Sequence, residues 1–198
     1  MTQQLLGNTH PEVATNLNNL AHLYHLQQRY AEAEALYQQA LMLREEAWGK
    51  THPEIADTLH NLAEVHRSQG NLTEAESLHN RALEIRRQLL GENHPDVAAS
   101  LSHLASVYRS QGRHTQAETL LKQALAISQQ VLGEVHPDVA QSFNSLAVLY
   151  FAQSRYSEAE SCLVQSLAIA ESQFGIEHPN TITIRKNLEN VRSRCGSP

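Results

Sequence analysis

Apolar positions along the chain recur at helical spacing. Drawn at about 100° per residue, Val13, Ala14, Leu17, Leu20, Ala21, Leu23 and Tyr24 fall on one half of a helix. Thr15, Asn18, Asn19, His22, His25 and Leu26 fall on the other, mostly polar half. This pattern predicts a first helix, A, over roughly Pro11–Gln27. A second stripe of Ala33, Leu36, Tyr37, Ala40, Leu41 and Leu43 predicts a helix B over Tyr30–Trp48. Neither helix can bury its apolar face alone, so further copies must cover it.

Those copies are present. GNTHPEVATNLNNLAHLY begins at Gly7, and variants of the phrase begin at Gly49, Gly91 and Gly133. The His-Pro pairs at His10, His52, His94, His136 and His178 are each 42 residues apart. A regular period of this length marks a stacked-repeat protein. Glycine at the end of B closes a helix through positive φ. Proline after His suits the first turn of the next A helix, and Glu12, Glu54, Asp96 and Asp138 follow where a helix N-terminus favours acid. Gly70 and Gly112 mark the A–B turn, with Gln28 and Ser154 in the same column. The expected organisation is one repeat domain over 1–198. It comprises a helix remnant at 1–6, repeats 7–48, 49–90, 91–132 and 133–174, and a capping helix with its tail at 175–198. MTQQLL aligns with the last turn of a B helix, and Arg185, Glu189 and Arg192 make the final A helix polar where Leu17, Ala21 and Tyr24 stand in the first.

Composition narrows the function classes. A net charge of −6 gives no basic footprint for nucleic acid. No apolar run approaches the ~20 residues of a membrane span, and the start lacks a signal-peptide pattern. Cys162 and Cys195 make no disulfide framework, so a cytoplasmic setting is expected. P-loop, dinucleotide and His-Glu-x-x-His motifs do not occur, and the expectation is a protein without catalytic residues or cofactors.

Leu17-x-x-Leu20-Ala21-x-x-Tyr24, followed by Ala33-x-x-x-Tyr37 and Ala40, resembles the tetratricopeptide repeat. The usual period is about 34 residues; the additional residues here add about one turn per helix. With the Gly-x-x-His-Pro join and Leu-Asn-Asn-Leu-Ala, the chain resembles the kinesin light chain type of this repeat across nearly its whole length. The resemblance implies an all-α, right-handed solenoid of antiparallel helix pairs, with the polar half of each A helix facing a concave, peptide-binding groove.

The residues expected in that groove are Asn18, Asn19, His22, His25, His60, Asn61, Glu64, Arg67, Ser102, His103, Arg109, Asn144, Phe151, Lys186, Asn187 and Asn190. Asparagine is a poor helix former, so a mid-helix ladder of it asks for a reason. A carboxamide that both donates and accepts can hold peptide backbone of any sequence. Arg67 and Arg109 could pair with acidic side chains of such a segment.

The histidine ladder is no metal array, because neighbouring helices lie about 8–10 Å apart while two nitrogens sharing a zinc each sit about 2 Å from it. It reads as capping or packing at the helix join. His22 and His25, with His60 and Glu64, could hold a transition metal, but a solvated polar face is the reading adopted. Cys162 and Trp48 occupy apolar columns and are expected in the core. His66 and His79 replace tyrosines of the first repeat, and their burial as neutral rings predicts that the second repeat loosens first below about pH 6.

Together these readings make the chain a protein- or peptide-binding scaffold that takes an extended, partly acidic segment. The alternative is a structural or regulatory arm of a larger protein, self-associating through its open N-terminal end.

Overall fold

The computed structural model describes residues 11–195. Nine helices occur among the described residues: α1 (Pro11–Leu26), α2 (Tyr30–Trp48), α3 (Pro53–Ser68), α4 (Leu72–Leu90), α5 (Pro95–Ser110), α6 (His114–Leu132), α7 (Pro137–Ala152), α8 (Tyr156–Phe174) and α9 (Pro179–Cys195). The odd-numbered helices are the A helices. The 1–6 remnant and the first Gly-x-x-His lie outside the described residues. The chain divides into two compact units, Met1–Gly91 and Glu92–Pro198. The first holds α1–α4 and the second α5–α9.

The recurrent His-Pro has a direct physical role. His52, His94, His136 and His178 precede the A helices, and each Nδ1 accepts the backbone N–H two residues on, at 3.1–3.3 Å. An imidazole thus does what Ser or Asp does at most N-caps. Proline behind it loses nothing, since its position has no intrahelical acceptor. At the other end of each A helix, the Arg29 and Arg155 N–H groups reach back to the Tyr24 and Tyr150 carbonyls, both at 2.9 Å. This closure needs a left-handed residue. Gly70 and Gly112 supply it at φ 82° and 75°, and Gln28 and Ser154 adopt it at 61° and 59°.

Packing follows a small and a large column of helix B. Ala33, Ala75, Ala117 and Ala159 are buried, as are Tyr37, His79, Leu121 and Leu163. In the first unit Leu62 and Val65 of α3 pack on Ala33 and Tyr37 of α2. In the second, Leu146 and Leu149 of α7 pack with Ala117 and Leu121 of α6, and Ile184, Leu188 and Val191 of α9 complete that cluster.

Several expectations need correction. Leu20 and Leu23 are 40% and 54% exposed, whereas Leu62 and Val65 in the same columns are 3% and 0% exposed. The later pair is covered by α2; α1 is the first described helix and has no such neighbour among the described residues. Trp48 is only half-buried, and Leu90 and Phe174 of its column are exposed. These residues end the B helices, and Trp48 and Phe174 stack on the capping imidazoles of His52 and His178 at 4.2 and 4.7 Å. Cys162 is partly buried against the α6–α9 core. The polar face of α9 does not simply meet water: Arg185 pairs with Glu171 at 2.8 Å and Arg192 with Glu160 at 2.7 Å. His66 and His79 are buried as expected, and Glu34 and Glu64 stand 3.8 and 3.2 Å from them. Finally, Arg44 is 4% exposed within the apolar stripe of α2. Its terminal nitrogens meet the Glu54 carbonyl and carboxylate at 2.9 and 2.7 Å and Thr58, while its Nε has no partner.

Candidate functional site

The sixteen groove candidates all lie on the A helices, and none is buried. The period explains this. Packing occupies positions equivalent to Val13, Ala14, Leu17 and Ala21, so positions 18, 19, 22 and 25 of each copy turn away from the core. The two units use those positions differently.

In the first unit the charged part of the polar face is internally bonded, while the Asn18 side-chain oxygen, like that of Asn144 in the same column, accepts no hydrogen bond. Glu64 holds the Arg67 guanidinium at 2.6 Å and His79 Nε2 at 3.2 Å. The His60 and His79 rings lie 5.4 Å apart. His25 Nε2 lies 3.1 Å from the Ser68 hydroxyl, and burial lowers its pKa against the raising effect of Glu64. Asn18 and Asn61 are half-buried; Asn19 and His22 are exposed. Arg67 is therefore engaged by Glu64 of its own helix. Among the described residues no group of three or more His, Cys, Asp or Glu is placed to hold a metal ion.

In the second unit the equivalent positions are smaller and leave space. Ser106 stands where Glu64 does, and Leu121 where His79 does. Ser102, His103, Ser106, Gln141 and Ser145 line a cleft of about 350 Å³ between α5 and α7. Its floor continues past Arg109, Asn144 and Val148. Beyond lies an apolar cleft of about 110 Å³ between α7 and α9, formed by Ala147, Val148, Phe151, Leu163 and Val191, with Asn187 and Asn190 beside it. Lys186 is exposed one residue before Asn187. Thus Ser102 and His103 share one cleft, Arg109 and Asn144 the next, and Phe151, Asn187 and Asn190 the third.

Val148 was not among the expected site residues. Its signal was an apolar side chain in a column otherwise made of His22, Glu64, Ser106 and Asn190. Ser106, Gln141 and Ser145 were equally legible in the columns. Asp138 and Ser128, which also line the first cleft, were not, because they come from outside the polar face of helix A.

The pattern of the tetratricopeptide repeat matches residues 1–46, 54–130, 96–172 and 138–194. This chain belongs to the tetratricopeptide repeat family. Its repeats are of the kinesin light chain-like type. A Podosopora anserina protein described as a kinesin light chain with nearly identical TPR-like repeats is similar at 28% identity and a TM-score of 0.78, over 94% of this chain and 89% of that one. BtubC (BKLC) from P. vanneervenii is similar at 25% identity and a TM-score of 0.80, over 94% of this chain and 74% of that one. RapI in its apo form shares the fold at 18% identity and a TM-score of 0.73. Comparison with curated proteins finds no match.

Tetratricopeptide repeats mediate protein–protein interaction and scaffolding, and theirs is a non-catalytic scaffold family. The fold class is accordingly that of all-α repeat solenoids. Among the described residues no helix is long and apolar enough to cross a membrane.

Proposed function

We propose that this tetratricopeptide repeat chain is a non-enzymatic scaffold that binds an extended protein segment on its A-helix face. The carrying observation is the run of clefts along α5, α7 and α9, whose polar lining is Ser, Asn, Gln and His103 with one arginine, Arg109, and one aspartate, Asp138. Side chains that both donate and accept suit peptide backbone, which presents N–H and C=O groups at every residue. The unbonded state of the Asn144 side-chain oxygen, shielded from solvent in this floor, supports the same reading.

The test is selection of a random peptide display library on the full chain and on a variant with Asn61→Ala, Asn144→Ala and Asn187→Ala. Peptides enriched on the parent and lost on the variant support the groove. Equal retention on both places binding elsewhere.

The second reading, a structural arm that associates with itself, is favoured by one feature. Leu20, Leu23 and Leu26 form an exposed apolar row on α1. Concentration-dependent light scattering that is abolished by Leu23→Ser and indifferent to the three asparagine substitutions would favour it.

A further inference from the structure

Three features of the second unit meet around Val148. The first is the apolar cleft between α7 and α9. Val148 is 39% exposed at its mouth, and Leu163 and Val191 close its inner side. At about 110 Å³ it is smaller than the ~150 Å³ cavity known to admit benzene. A leucine, isoleucine or methionine side chain suits it.

The second feature is Arg109. This guanidinium lines the neighbouring floor together with Val148 and is half-buried. Among the described residues it has no ion-pair partner and no side-chain hydrogen bond. Arg67, which holds the same column one repeat earlier, is engaged by Glu64. A partly desolvated guanidinium with no counter-charge favours a carboxylate.

The third is Asn144, between these two on the same floor, whose carboxamide oxygen accepts no hydrogen bond. A peptide N–H is the donor it lacks.

We propose that the α5–α7–α9 face selects extended segments carrying an aliphatic side chain for the Val148–Phe151–Val191 cleft and, close by in sequence, an Asp or Glu for Arg109. This rests on the groove reading above and deepens it: the second unit sets the ligand class, and the first unit, whose charged groups are bonded to one another, does not. Asn187 and Asn190, beside the cleft, would hold the backbone flanking the anchor residue.

The experiment selects the same display library on the full chain and on Val148→Asp and Arg109→Glu. Both positions are at the surface of the groove, and circular dichroism checks that the helices persist. The expected consensus on the parent pairs an aliphatic residue with an acidic one. Val148→Asp weakens those peptides about tenfold, the scale of losing one well-packed anchor. Arg109→Glu exchanges the acidic preference for Lys or Arg, a gain that misfolding could not produce. An aromatic or basic consensus on the parent overturns this inference, as does full retention on Val148→Asp. If such peptides are nevertheless lost on the triple asparagine variant, the general groove reading survives. No enrichment on the parent overturns both.

Discussion

Arg155, at the start of α8, reaches Glu118 of the preceding B helix at 2.6 Å while its guanidinium lies 4.2 Å above the Tyr150 ring. The same arginine pairs with Glu158 of its own helix, and Tyr150 donates to Glu118 at 3.1 Å. One carboxylate thereby joins the third repeat to the fourth. The columns repeat this device in altered form. Arg29 and Arg113 stack on Tyr24 and Tyr108, Arg192 meets Glu160, and His66 takes the tyrosine position opposite Glu34.

Acid should test that joint. Arg155 above all, then Lys122, and Tyr150 less strongly, hold the Glu118 carboxyl down at about 2, against the raising effect of burial. A carboxylate whose folded pKa is depressed contributes its full stability above the unfolded value near 4.5 and loses it as pH falls toward the folded value. Urea midpoints measured between pH 6 and pH 2 should therefore fall less steeply for Glu118→Gln than for the parent. Equal slopes would mean the ion pair contributes nothing in solution.

The histidine caps predict a substitution series. His94→Ala removes the acceptor for the Asp96 N–H and should cost about 0.5–2 kcal/mol in urea unfolding. His94→Asn, whose shorter side chain also accepts there, should restore most of it. If both variants behave alike, the imidazole acts by packing rather than by capping.

Two turns carry removable strain. Gln28 and Ser154 hold φ of 61° and 59° where Gly70 and Gly112 stand in sister repeats. An L-residue in the left-handed region costs roughly 1–2 kcal/mol. Gln28→Gly or Ser154→Gly should raise the unfolding free energy, and with it the urea midpoint, by up to about 1 kcal/mol of stability once the added chain entropy of glycine is set against the relief. A lower midpoint would show that the native side chain contributes more than its backbone conformation costs.

Identical columns should respond unequally to truncation. Leu149 is fully buried and Leu23, three repeats earlier in the same column, is 54% exposed. Leu149→Ala should cost about 2–5 kcal/mol, and Leu23→Ala should stay within about 0.5 kcal/mol. A large loss at Leu23 would reveal a cover over α1 in solution.

What the sequence by itself determined was everything carried by short-range contacts and repeated verbatim. The helix bounds came within one residue, because stripes, caps and stop signals act over one turn and recur every 42 residues. Gln28 and Ser154 were legible as turn residues only because their columns contain glycine elsewhere. The polar face of helix A was legible for the same reason, since periodicity alone separates it from the packed face. The tertiary structure decided what each face meets. It left Leu20 and Leu23 exposed while burying their counterparts, placed Trp48 on His52, and gave carboxylates to His66 and His79. It also tied Arg67 to Glu64 while leaving Arg109 beside an open apolar cleft. The columns hold equivalent places in every repeat, but burial and charge compensation depend on the side chains arriving from neighbouring helices, and those differ from copy to copy.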